Sequence, residues 1–320
     1  MGKFYISAPV NEVALARAVA PYVHQLGGGI PDGAALSSIA EARNLDFATM
    51  LLYQALHASP DHKQFIRTLD GIEIANAYPR RNAKIFIIPA LFHAHYPETG
   101  ADAALAAEIA GACGFDVSTA PVKSVGTVTE NAHIIRNHLD QETAENLWVF
   151  AVSKGSADFR AFMQLFPQHS AIGRIRGWVN ICGLANGCQI TDYNLGTRWR
   201  RIKYRLICQL LGAKFELMQE MSTAHRYWRN PLTLPANMRI FNFMAIPLGC
   251  HIQKSLIGRY LAISALGPND GMVLCRDSII EGGPVYPVWG CDHFFRGPQV
   301  APLLYRLFSH LGDLTCESTR

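Results

Sequence analysis

Nowhere in this chain of 320 residues does an apolar run reach the roughly 18 residues that a membrane-spanning helix requires, so no transmembrane segment is expected. Charge is scarce too. Asp, Glu, Lys and Arg supply 17% of the residues against 49% hydrophobic, which excludes a disordered polyelectrolyte or a charged coiled coil and implies a large core. Lys and Arg number 29 against 25 Asp and Glu, without a long basic run or an Arg-aromatic array, and nucleic acid is not expected as a partner. No GxGxxG follows an apolar run and neither GxxxxGKS nor GxxxxGKT occurs, so nucleotide chemistry has no footing and no cofactor is expected. CxxC pairs are missing as well. The eight cysteines (Cys113, Cys182, Cys188, Cys208, Cys250, Cys275, Cys291, Cys316) stand apart, mostly beside apolar residues, and read as reduced core thiols of a cytoplasmic protein. The opening MGKFYISAPVNEVALARAVAPYV has no uninterrupted apolar segment, and Ile6 stands where N-acylation needs Ser or Thr, so neither a leader nor a lipid anchor is expected there.

What is present falls into two textures. Residues 1–80 are Ala- and Leu-rich and helical, broken by GGGIPDG at Gly27 to Gly33 and by Ser59-Pro60. Within them Phe47, Met50, Leu51 and Ala55 recur at helical spacing, which predicts an amphipathic helix over Asp46 to Leu56. It would pack on the body, and the extension also suits a homodimer or partner interface. Residues 81–320 alternate apolar runs with helical patterns: KIFIIPA, GFDVSTAPV, NLWVFAVS, GWVNICG, MRIFNFMAI and PVYPVWG are the runs. The expected fold class is α/β, a mostly parallel sheet with helices on both faces. An insertion from Leu184 to about Pro235, rich in Tyr, Trp, Leu and Met, would form a helical cap. In such folds ligands lie at the carboxyl ends of the strands.

At one of those ends NLWVFAV runs into Ser153-Lys154-Gly155 and then a helical pattern. A serine is lifted to the top of a sheet only by a strained strand-turn-helix, with small residues two before and two after it. Ser153 has Ala151 and Gly155 in those places; Ser156 has Lys154 and Asp158 and is disfavoured. A serine nucleophile needs a base, and the base needs an acid to hold its tautomer. Asp270, in the turn GPNDGMV, and His293, just after PVYPVWG, follow in the required order. Asp277 is the expected solvated first-turn residue of a helix, and Asp292 adjoins the histidine too closely to orient it.

AVSKGSAD, NDGMV and GCDHFF, with PALF after the first strong strand and VTENAHIIRNHL before the elbow strand, resemble the α/β-hydrolase superfamily, and within it lipase and esterase members. The resemblance spans about Lys84 to His310. It implies Ser153 as nucleophile, Asp270 as acid and His293 as general base, with an oxyanion hole from the backbone N–H groups of Lys154 and Leu91, the latter open to a slip to Phe92. Phe92 and Trp228 are the expected substrate-binding residues. Ala151 replaces the usual elbow glycine, and Pro89-Ala90-Leu91 replaces the frequent His-Gly of the first oxyanion turn.

His93 and His95 are spaced like metal ligands but lack the following Asp-His of a binuclear site; no metal is expected, and the pair should line the pocket mouth. Arg198 to Arg205 is a basic, aromatic helix start that reads first as a solvated face, with peripheral contact to an anionic membrane as the alternative. The expected function is hydrolysis of a carboxylic ester of an apolar, lipid-like acyl group. A thioesterase, lactonase or acyltransferase on the same triad, or a non-catalytic binding protein, are the alternatives.

Overall fold

The computed structural model describes residues 10–317; Ile6 and its neighbours lie outside them. Four helices come first: α1 (Glu12–Gln25), α2 (Gly33–Ala42), α3 (Leu45–Ala58) and α4 (Pro60–Asp70). Their starts are dictated locally, because Asn11, Asp32 and Asn44 each accept a backbone N–H of the first turn and Pro60 opens α4 without needing a partner for a missing N–H. The rest alternates β1 (Lys84–Ile88), α5 (Ala104–Ala112), β2 (Asp116–Thr119), α6 (Val128–Gln141), β3 (Leu147–Val152), α7 (Lys154–Leu165) and β4 (Ile175–Ile181). Four short helices follow, α8 (Gln189–Leu195), α9 (Arg198–Leu210), α10 (Glu216–Met221) and α11 (Arg226–Arg229); then come β5 (Arg239–Ile246), α12 (Ile257–Ile263), β6 (Val285–Trp289) and α13 (Val300–Glu317).

All six expected runs are strands of one all-parallel sheet, ordered β2-β1-β3-β4-β5-β6. β1, β3, β4 and β5 are largely buried on both faces because helices cover both, whereas the edge strand β2 is mostly polar and partly exposed. Phe86 and Ile88 of β1 enter a core with α6 and α7, while Ile85 and Ile87 enter the opposite core with α4, α5 and α13, as the two-residue period of a strand requires. Pro287 is tolerated in β6 because that strand is an edge. From β1 the chain moves out to β2 and then crosses back to β3 on the other side of β1. This reversal opens a crevice between the carboxyl ends of β1 and β3, where such sheets bind ligands.

The helix expected over Asp46 to Leu56 is α3, which is buried on two faces: Phe47, Met50 and Leu51 of the expected stripe share a small core with Val19 of α1, and the neighbouring face meets the body. Leu45, Ala48, Leu52 and Leu56 share a core with Met244, Ile246, Leu256, Tyr260 and Val285 of the body. Helix α4 goes further, since Phe65 and Leu69 belong to the core beneath the sheet itself. Among the described residues no helix is long and apolar enough to cross a membrane. Six of the eight cysteines are buried, whereas Cys250 and Cys316 are exposed and are not the core residues expected.

Candidate active site

The turn between β3 and α7 is built around Ser153, whose φ of 50° and ψ of −116° are costly for a residue with a side chain. The conformation is held from both sides. Ser153 donates its N–H to Ile181 O (2.9 Å), and its carbonyl accepts from Leu184 N (3.1 Å). The small neighbours have a visible cause. A side chain at Gly155 would run into the Ile88 carbonyl oxygen and stand 2.9 Å from that of Pro89, because the start of α7 lies against the end of β1.

Two loops bring the expected partners to this turn. Ser153 Oγ lies 2.7 Å from His293 Nε2, and His293 Nδ1 lies 2.7 Å from Asp270 Oδ2. With Nδ1–H donating to the carboxylate, Nε2 is left to accept the serine proton. Asp270 is held in turn, since its Oδ1 accepts the N–H groups of Met272 and Val273, both at 2.9 Å. The two loops are also joined directly, His293 N donating to Asp270 O at 2.9 Å. All three side chains are buried.

The rival residues are otherwise engaged. Asp292 accepts from Gln253 N (3.0 Å) and Phe294 N (3.1 Å), and so faces away from the imidazole beside it. Asp277 departs from expectation. It sits half-buried in the 3-10 turn Cys275–Ser278 instead of a solvated first turn, bonded to the Gln189 amide, and burial pushes its carboxyl up. Ser156 is fully buried and donates to Asn180 Oδ1 at 2.7 Å. Asn180 passes the network on to Asn242 Oδ1 (2.8 Å) and the Ser278 carbonyl (2.7 Å).

Beside Ser153 two backbone donors are unspent: among the described residues no hydrogen bond engages the N–H of Leu91 or of Lys154. The N–H of Phe92, by contrast, donates to Ser124 O at 2.9 Å. Ser153 and His293 open into a cavity of about 690 Å³. Leu91 and Phe92 border it, the cap contributes Ile207, Leu211, Leu217, Met218 and Met221, and Thr191, Asn194, Gln253, Arg259 and Arg296 give it a polar side. A second hollow, of about 500 Å³, lies at the opposite end of the sheet, among Arg80 to Lys84 and Thr143 to Asn146, remote from these groups.

Two expectations are not met here. Trp228 does not border the cavity; it packs against Arg160, whose guanidinium lies 5.7 Å from its ring, and donates to Glu220 O at 3.1 Å. His93 and His95 do not line the mouth either, because their Nδ1 atoms are drawn into the loop by Ala90 O and Ser124 Oγ, each at 2.9 Å. Cys188 is buried on the cavity wall, and burial pushes its thiol up to about 11. Among the described residues the one grouping with metal-ligand proximity is Glu12, Cys250 and His251. Both His251 nitrogens are already used, Nδ1 by Leu248 N–H and Nε2 by Glu12.

The sequence reading also passed over a buried ion pair directly under the elbow. Lys154 Nζ contacts both oxygens of Asp158 (2.6 and 2.9 Å), and Asn131 adds a third bond at 2.7 Å. Its signal was present as an i, i+4 spacing on α7.

No protein-family model and no curated protein matches this sequence. Solved structures do. A metagenomic carboxyl esterase, MGS0156, superposes with a TM-score of 0.58 over 78% of this chain and 80% of its own, at 18% identity. The mature Bacillus licheniformis lipase BlEst2 gives 0.52 over 77% and 96%, at 15% identity. The chain has the α/β-hydrolase fold. Within that fold Ser153, Asp270 and His293 sit at the carboxyl edge of the sheet, on three separate connections.

Proposed function

We propose that this protein is a serine hydrolase that cleaves a carboxylic ester with an apolar acyl group. The observation that carries the reading is the unbroken chain of 2.7 Å hydrogen bonds from Ser153 Oγ through His293 to Asp270, opening on a cavity. Ser153 Oγ forms a bond to the ester carbonyl carbon while its proton passes to His293 Nε2, and Asp270 compensates the imidazolium. The oxygen that gains charge lies against the N–H groups of Leu91 and Lys154. Collapse breaks the bond to the alcohol oxygen, which leaves with the proton from His293. Water then attacks the acyl-serine with His293 again as base, releasing the acid and restoring the serine. The apolar cap side chains suit an acyl chain. The six buried thiols suit a reducing compartment such as the cytoplasm.

Fluorophosphonate labelling followed by peptide mapping tests the reading without knowledge of the substrate. The label is expected on Ser153, and Ser153→Ala should abolish both labelling and hydrolysis of short p-nitrophenyl esters. Labelling confined to Ser156, or none in a folded protein, would refute it.

A further inference from the structure

The cap helix α9 carries a second apolar face that the cavity does not use. Tyr204, Ile207, Cys208 and Leu211 turn inward to the cavity. On the outer side Trp199, Ile202, Leu206 and Leu210 follow at i, i+3, i+7 and i+11, within about 80° of arc. They are 79%, 45%, 56% and 86% exposed, a contiguous stripe of large side chains in water.

The charges around the stripe name what covers it. Helix α9 holds five cations, Arg198, Arg200, Arg201, Lys203 and Arg205, and no carboxylate. Among the described residues none of the five forms an ion pair. Arg198 and Arg205 flank the stripe on one side and Lys203 on the other, while Arg200 is turned back onto the Tyr193 ring at 3.7 Å and Arg201 donates to Leu195 O at 3.1 Å. A second copy of the chain fits poorly, since two such helices would oppose ten like charges. An anionic bilayer fits both features at once, taking the apolar stripe at the acyl boundary and the cations at the headgroups.

We propose that the outer face of α9 docks this protein on anionic lipid bilayers, placing the cavity beside the acyl chains that the proposed hydrolase would cleave. The docking rests on the hydrolase reading for its purpose and not for its occurrence, so the two are measured apart. Ser153→Ala protein is floated with vesicles of phosphatidylcholine alone and of phosphatidylcholine mixed with phosphatidylglycerol. Binding is expected to the mixed vesicles only and should be lost in high salt. Removing two cations in R198Q/K203Q should weaken it roughly thirtyfold, at about fivefold per cation. Combining W199S, L206S and L210S should weaken it by about a hundredfold or more, and on the Ser153 background the same triple variant should hydrolyse a dissolved short ester at the wild-type rate. Equal binding to both vesicles, undiminished binding of the triple variant, or a concentration-dependent dimer that the triple variant loses would each overturn the docking proposal. Vesicle binding by a wild-type protein that hydrolyses no ester would instead remove the hydrolase reading and leave the docking standing.

Discussion

Lys154 is the residue after the serine, and a charged side chain there is expected to reach solvent; instead it is fully buried with Asp158. Its ammonium anchors the first turn of α7 from within. Burial pushes the Asp158 carboxyl up to about 6, against the pull of the Lys154 ammonium and the Asn131 amide. The ordinary value for an unfolded Asp is about 3.9. Between these two values the native state holds more protons than the unfolded chain, so this group makes stability fall as pH rises through the window and level off above about 6. Asp158→Asn should cost about 3–5 kcal/mol at neutral pH, because the Lys154 ammonium is left buried without its counter-charge. The double change Lys154→Met with Asp158→Leu should recover most of that loss and flatten the pH dependence. Urea unfolding at several pH values reads both; an Asp158→Asn protein as stable as wild type would contradict this account. Asp270→Asn belongs to the same scale. By comparison with serine proteases it should lower kcat by roughly 10⁴, while Asp277→Asn and Asp292→Asn stay within tenfold of wild type; collapse in either of those with an active Asp270 variant would reassign the acid.

At the scale of elements, the cap is clamped to the body by polar side chains as well as by the apolar core it shares with α6 and α7. Arg160 of α7 is buried and donates to the carbonyls of Tyr227, Ala185 and Asn230. Thr129 of α6 bonds Glu220 of α10, and Lys214 pairs with Glu130 at 2.8 Å. Trp228 belongs to this clamp, which changes what its substitution should do. Trp228→Ala should destabilise by about 3 kcal/mol or more and leave the acyl-length preference of kcat/KM unaltered. Met218→Trp, on the cavity wall, should instead shift preference to shorter acyl groups by roughly tenfold or more. Competition between esters of two chain lengths measures each, and a preference moved by Trp228→Ala alone would return that residue to the pocket. The strands, the elbow and the order of its partners were readable because each leaves a local mark: β-rich runs, small residues around Ser153, a Gly-flanked turn at Asp270. Which face of the insertion meets the cavity leaves none. Both faces of α9 are apolar, and Trp228 differs from Leu211 only in where α11 lands.

At the scale of the molecule, the boundary near residue 80 follows composition and not the core. Texture changes there because the first four elements are helices and the next is a strand, but side chains from both sides of the boundary share one interior. Beyond the apolar contacts, Glu12 accepts from Trp289 Nε1 (2.8 Å), Asp46 from Gly249 N (2.8 Å) and Asp70 from the Tyr286 hydroxyl (2.6 Å). Two of these acceptors meet β6, whose end leads into the loop of His293. Helices α1 to α4 should therefore unfold together with the sheet, and their loss should disturb the histidine. Leu52 is the cleanest probe, being fully buried in α3 among body residues such as Ile246 and Val285 and far in sequence from the cavity. Leu52→Ala should cost about 2–5 kcal/mol and lower the midpoint of a single transition for the whole protein. An independent extension would behave otherwise, with two calorimetric transitions of which Leu52→Ala moved only the first. That outcome would restore the boundary. A single displaced transition, accompanied by earlier thermal loss of fluorophosphonate labelling at Ser153, would place α1 to α4 inside the cooperative unit that holds the site.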